Sequence, residues 1–167
     1  METEKLLQGK RVLIVDDEPD VLDTLTELLS ICMIDRASTF EEAKELLEIH
    51  SYDVVVLDIM GVKGFELLQI AKEKDIPALM LTAHALTEET LKKSAEEGAS
   101  YYVPKHEIEK IDVFLADVIE AREKKKNPWV RWFERLGPFF DKSFRGPNWR
   151  EDHKKFWDEK LKQLTNI

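Results

Sequence analysis

Five residues suited to phosphoryl chemistry stand directly after short apolar runs. Asp16 and Asp17, with Glu18, follow Arg11–Val15 (RVLIV). Asp58 follows Asp53–Leu57 (DVVVL), Thr82 follows Pro77–Leu81 (PALML), and Lys105 comes just after the weaker run Ser100–Val103. Carboxylates a few ångströms apart repel one another, and the repulsion raises the pKa of some of them. A hard divalent cation bound through oxygen removes that penalty. Mg²⁺ fits, because it takes one or two carboxylates and leaves positions for water and phosphate. Mg²⁺ and the Lys105 ammonium together balance three aspartates, and Thr82 adds a hydroxyl donor. Such a set orients a dianionic phosphoryl group for in-line attack by a carboxylate and stabilises the charge of the transition state. Singly, each residue has a plainer reading, since an aspartate after a strand is commonly a turn residue or helix cap. The case rests on four strand ends carrying these types in this order.

The elements that position them follow from periodicity. The three strong runs are short, continuously apolar and closed by a polar residue, the pattern of parallel strands buried on both faces. Met33–Ala37 and Ser100–Val103 are weaker strands. Helical spacing appears at Val21, Leu22, Leu25, Leu28 and Leu29, after Pro19, a residue suited to a first turn. It recurs at Phe40, Ala43, Leu46 and Leu47, with Thr39 as N-cap and Glu42 as capping-box partner. Phe65 to Ala71 follow Gly64. Leu91 and Ala95 follow the cap Thr87 and stop at Gly98. Ile108, Ile111, Phe114, Leu115, Val118 and Ile119 form the fifth helix. The expected fold class is α/β, a five-stranded doubly wound parallel sheet of order 2-1-3-4-5 flanked by five helices, with a short helical C-terminal extension. In such sheets ligands bind outside the carboxyl ends of the strands, where the five residues stand.

The bulk numbers agree. At 167 residues and 43% hydrophobic content the chain can bury one sizeable core. A single cysteine, Cys32, excludes an intrachain disulfide and suits a reducing compartment. No apolar run reaches the roughly 18 residues of a membrane span, and METEKLLQGKR lacks a signal-peptide core. A cytoplasmic location is therefore expected. The net charge of −9 divides unevenly, with −15 on residues 1–121 and +6 on residues 122–167. All four tryptophans and five of the eight phenylalanines fall in that basic segment. The shift places a boundary between a main domain at 1–122 and an extension at 123–167.

The stretches VLIVDDEPD (Val12–Asp20), YDVVVLDIMGVKGFELL (Tyr52–Leu68), PALMLTAHA (Pro77–Ala85) and GASYYVPK (Gly98–Lys105) resemble the receiver domain of two-component response regulators. The resemblance implies that Asp58 is the phosphoacceptor and Asp17 a direct Mg²⁺ ligand, with Asp16 acting mainly through a metal-bound water. It implies that the backbone carbonyl of Met60 completes the protein's metal ligands, and that Lys105 pairs with the acceptor and then with the phosphoryl group. Thr82 would move toward a phosphoryl oxygen, and Tyr102 matches an aromatic that swings inward on activation. The implied phosphoryl donor is a sensor histidine kinase or a phosphotransfer protein, and the implied output is protein–protein contact, including a phosphorylation-dependent homodimer. Two departures stand out. The loop Asp58-Ile-Met-Gly-Val-Lys-Gly64 reaches its glycine about two residues sooner than the common pattern and lacks its proline. Proline precedes Lys105 here, as Pro104, and His106 follows it.

Other classes are weighed against this switch. An aspartyl phosphotransferase or phosphatase of the haloacid dehalogenase type wants D-x-D at the acceptor, and Met60 removes the second carboxylate. An unphosphorylated interaction scaffold has no need of the full set Asp16, Asp17, Asp58, Thr82 and Lys105. The histidines show no metal-ligand spacing, although His84, two past Thr82, is a candidate for tuning access to the site. In the extension, Asn127-Pro128 breaks the preceding helix. Trp129, Trp132, Phe133 and Leu136 then predict a short amphipathic helix stopped by Gly137-Pro138. FFDKSFRGPNW reads as irregular, and Phe156, Trp157, Leu161 and Leu164 suggest a last helix from about Glu151. No DNA-binding domain is recognisable. Three readings remain open for this tail: packing on the main domain or a second protomer, a basic arm that docks a protein partner, or a membrane or nucleic-acid surface.

Overall fold

The computed structural model describes residues 2–83, 87–144 and 146–162. Five parallel strands, β1 (Arg11–Val15), β2 (Met33–Ala37), β3 (Val54–Asp58), β4 (Ala78–Thr82) and β5 (Tyr101–Pro104), form one sheet in the order β2-β1-β3-β4-β5. This is the expected order. β3 and β4 are buried along their whole length, as continuous apolar runs demand, whereas the edge strand β2 keeps Met33 and Arg36 exposed. Pairing of Asp58 with Leu81 and of Thr82 with Pro104 brings the carboxyl ends of β3, β4 and β5 level with one another.

The helices α2 (Pro19–Leu28), α3 (Phe40–Ile49), α4 (Gly64–Glu73) and α5 (Glu88–Glu96) alternate with the strands. Thr39 and Thr87 cap α3 and α5 by accepting the N–H groups of Glu42 and Thr90. The Glu42 carboxylate reaches back to the N–H of Ser38 at 3.0 Å. The expected fifth helix divides into a 3-10 turn (Lys105–Lys110) and α6 (Ile111–Glu123). A short N-terminal helix, α1 (Glu2–Leu7), packs against α6 and buries Leu7. Six residues are too few for a 3.6-residue period to show in a sequence. No helix among the described residues is long and apolar enough to cross a membrane.

The tail departs most from expectation. α7 (Pro128–Ser143) does not stop at Gly137-Pro138 but continues five residues beyond Pro138, through the first five residues of the stretch read as irregular. A proline inside a helix removes one hydrogen bond and clashes with the preceding turn. Part of the restriction it places on the residue before it acts through that residue's Cβ, and Gly137 has none. Packing supplies the rest, because Leu136, Gly137 and Phe140 are all buried. Beyond α7 the described residues form two short helices, α8 (Asn148–Asp152) and α9 (Lys154–Lys162), instead of one. Leu164 and His84 lie outside the described residues.

Trp129, Trp132, Trp149 and Trp157 are at most 3% exposed and gather with Phe133 and Phe140 into one aromatic cluster continuous with the core. The tail therefore packs on the chain's own sheet, the first of the three readings. β5 is an edge strand, and its outward carbonyls need donors. Trp132 Nε1 donates to the Tyr102 carbonyl of β5 at 2.7 Å, and Trp129 Nε1 donates to the carbonyl of Ala99, two residues before the strand, at 3.1 Å. Beside them the buried Asp117 of α6 accepts from the Tyr101 hydroxyl at 2.6 Å and from Arg135 Nε at 2.5 Å. The opposite charges of tail and main domain thus meet at a specific pair.

Candidate functional site

The crevice at the carboxyl ends of the strands holds the expected set. Asp16, immediately after β1, is fully buried. Asp17 beside it is exposed, and Asp58 at the end of β3 is 4% exposed. One oxygen of each of these three carboxylates lies within 4.8 Å of the others. Lys105 comes directly off β5, and its Nζ stands 2.9 Å from Asp16 Oδ2, 3.0 Å from Glu18 Oε2 and 3.3 Å from Asp58 Oδ1. Thr82 ends β4 and is buried. Tyr102 pairs with Met80, two residues before Thr82, so its side chain leaves β5 on the same face as Thr82. It is buried, its hydroxyl has no hydrogen-bond partner among the described residues, and its ring lies 5.6 Å from that of Phe140.

The electrostatics follow from burial and like charge. Burial, then the neighbouring Asp16 carboxylate, pushes Asp58 up to about 7 against the pull of Lys105. Burial also raises Asp16, although Lys105 and the Glu18 N–H, which donates to its Oδ1 at 2.9 Å, work the other way. Burial opposes the charge on Lys105, but Asp16, Glu18 and Asp58 outweigh it and hold the ammonium above its ordinary value. The cluster is short of positive charge. Among the described residues four carboxylates, Asp16, Asp17, Glu18 and Asp58, gather around one ammonium. The ligand atoms of the three clustered aspartates are all hard oxygens, so a divalent cation of the Mg²⁺ type fits the donor set.

The loop after Asp58 explains how a shortened connection still works. Gly61 has φ +78°, and a Cβ there would lie 2.5 Å from Asp17 Oδ2, so the backbone closes on that carboxylate only with glycine. Lys63 also adopts a left-handed conformation, φ +56°, to turn the chain into α4, and its ammonium sits 5.3 Å over the Phe40 ring. Gly64 packs directly on the Asp58 backbone. Met60, named for its carbonyl, exposes its side chain, and that carbonyl accepts the Val62 N–H at 2.9 Å. Asp16, Asp17, Asp58 and Lys105 thus converge, with Thr82 and Tyr102 beside them. Sequence reasoning missed one pairing and one residue. Glu18 is a third partner of Lys105, and Gly61 is a steric requirement signalled only by the shortened loop.

A family model described as the response regulator receiver domain matches residues 12–116. The chain belongs to the response regulator receiver family. Among curated proteins, two-component response regulator ARR18 of Arabidopsis thaliana is 37% identical over 106 residues, which cover 60% of this chain and 17% of that protein. The probable transcriptional regulator ycf27 of Cyanidium caldarium is 36% identical over 136 residues, 73% of this chain and 53% of that one. This chain therefore spans about half or less of the length of these relatives. Among solved structures, a CheY-like receiver domain protein from Methanospirillum hungatei superimposes with TM-score 0.58 at 25% identity, covering 69% of this chain and 99% of that one. The BeF3-activated DrrB receiver domain matches with TM-score 0.53 at 28% identity, covering 59% and 86%.

Proposed function

We propose that this chain is a phosphorylation-activated response regulator in which Asp58 accepts a phosphoryl group from a phosphohistidine of a sensor kinase or phosphotransfer protein. A carboxylate oxygen of Asp58 forms the new bond to phosphorus, the P–N bond breaks, and its electron pair returns to the imidazole of the donor. Asp16, Asp17, Asp58 and the Met60 carbonyl would hold Mg²⁺, which when bound neutralises phosphoryl oxygens and opposes the repulsion between carboxylates. Lys105 supplies the second positive charge. Its ammonium leaves the acceptor carboxylate and pairs with the transferred group. The Thr82 hydroxyl donates to a phosphoryl oxygen, a charge-assisted bond stronger than a neutral one. Tyr102 follows the movement of Thr82. The product is a switch that signals by protein–protein contact and acts on no separate substrate.

One observation carries the reading: the Lys105 ammonium bridges buried Asp16 and Asp58 at 2.9 and 3.3 Å, with Asp17 in the same cluster. The test is incubation with acetyl phosphate and Mg²⁺, followed by intact-mass measurement. The wild type is expected to gain one phosphoryl group, and Asp58→Asn none. Equal labelling of both, or none of the wild type, refutes the proposal.

A further inference from the structure

We propose, resting on the phosphoacceptor reading of Asp58, that Phe140 and Trp132 of the tail are positioning residues for the phosphoryl site, acting through Tyr102. Tyr102 is fully buried on the same sheet face as Thr82, with the Phe140 ring 5.6 Å from its own. Trp132 fixes the strand at that residue from outside, through its 2.7 Å hydrogen bond to the Tyr102 carbonyl, and packs 5.4 Å from Phe140. While α7 is docked, the Tyr102 ring has no outward position to occupy. Without α7 the free face of β5 is open to water, and a phenol can turn its polar tip there.

The site gains from the inward position once Asp58 carries charge. A phosphoryl group draws the Thr82 hydroxyl toward its oxygens, which leaves a gap beneath Tyr102. Gaps in a close-packed interior are unfavourable, and the Tyr102 ring fills this one only if it stays inside. Docked tail, inward Tyr102 and occupied Asp58 therefore favour one another, and the coupling is reciprocal. The tail promotes loading of Asp58, and loading tightens the tail. Arg135 strengthens the clamp by tying α7 to the buried Asp117.

The test uses the full chain as wild type and Phe140→Leu, a change that leaves every group of the acidic cluster in place. Mg²⁺ affinity, and then beryllofluoride affinity at saturating Mg²⁺, are measured by calorimetry, and hydrogen exchange of residues 128–143 is followed with and without beryllofluoride. Couplings of this kind amount to about 5-fold or more. Phe140→Leu is expected to bind Mg²⁺ alone as the wild type does, yet to bind beryllofluoride about 5-fold more weakly. In the wild type, protection of α7 amides rises on loading, and in Phe140→Leu the rise is lost. A merely structural role of Phe140 moves both affinities together or neither, and either result overturns the proposal. So does tail protection that stays constant or falls in a chain whose Asp58 is shown by mass to accept phosphate. A wild type that does not accept phosphate removes the phosphoacceptor reading and this proposal with it.

Discussion

Replacing Asp58 by Asn tests the electrostatics of the site in its simplest form, because the folded chain holds this carboxyl at about 7. An unfolded aspartate titrates near about 3.9. The folded state therefore binds the proton more tightly. The stability this contributes is complete below about pH 4 and is lost as pH rises toward and through about 7. The difference is about three units at about 1.36 kcal/mol each, so the ionised carboxylate destabilises the metal-free protein by up to about 4 kcal/mol. Asparagine removes the charge and keeps an oxygen that can accept from Lys105, which also retains Asp16 and Glu18. In excess EDTA at about pH 7.5, Asp58→Asn is expected to be more stable than wild type by about 2 to 4 kcal/mol. For a chain of this size that corresponds to a Tm higher by about 4 to 16 °C. The two proteins should converge as the pH approaches about 4, and saturating Mg²⁺ should narrow the gap at neutral pH by stabilising the wild type more. Urea unfolding at several pH values, with and without Mg²⁺, reads all of this. A variant less stable than wild type in EDTA at neutral pH, or a gap that does not change with pH, refutes the reasoning.

Other perturbations address the tail and the shortened loop. Trp132→Ala removes a fully buried indole and leaves the Tyr102 carbonyl without its donor, at a cost of about 3 to 5 kcal/mol. Trp132→Phe, which loses mainly the N–H, should cost about 1 to 2 kcal/mol in thermal unfolding by circular dichroism. Arg135→Met deprives buried Asp117 of its closest cation while Tyr101 and Arg131, at 2.6 and 3.6 Å, remain. A loss of about 1 to 2 kcal/mol is expected in urea unfolding, short of the full effect of a broken buried pair. Gly61→Ala forces a Cβ toward Asp17 at φ +78°. The resulting shift of the carboxylate should weaken Mg²⁺ binding at least about 10-fold by calorimetry, in line with other disturbances of metal-ligand support.

The strand order, the acidic cluster and Lys105 were legible because their signals are local. A parallel strand buried on both faces must be continuously apolar, as RVLIV and DVVVL are, and the crossover rule then leaves few ways to order the strands. Capping by Thr39 and Thr87 was equally legible, since a cap acts over three residues. Glu18 was visible as part of an acidic trio, but its pairing with Lys105 spans 87 positions and depends on how β1 and β5 end relative to each other.

Tertiary structure decided the tail. Gly137-Pro138 ordinarily ends a helix. Here burial of Leu136 and Phe140 against the main domain holds the turn together, and the glycine relieves part of the proline clash. The aromatic residues were conspicuous by composition, yet two of their partners are backbone carbonyls, that of Tyr102 in β5 and that of Ala99 just before it, groups that every residue carries and no sequence marks. Periodicity tells which face of a helix is apolar. Which surface that face covers depends on the shape and unpaired donors and acceptors of a sheet that exists only once the chain has folded.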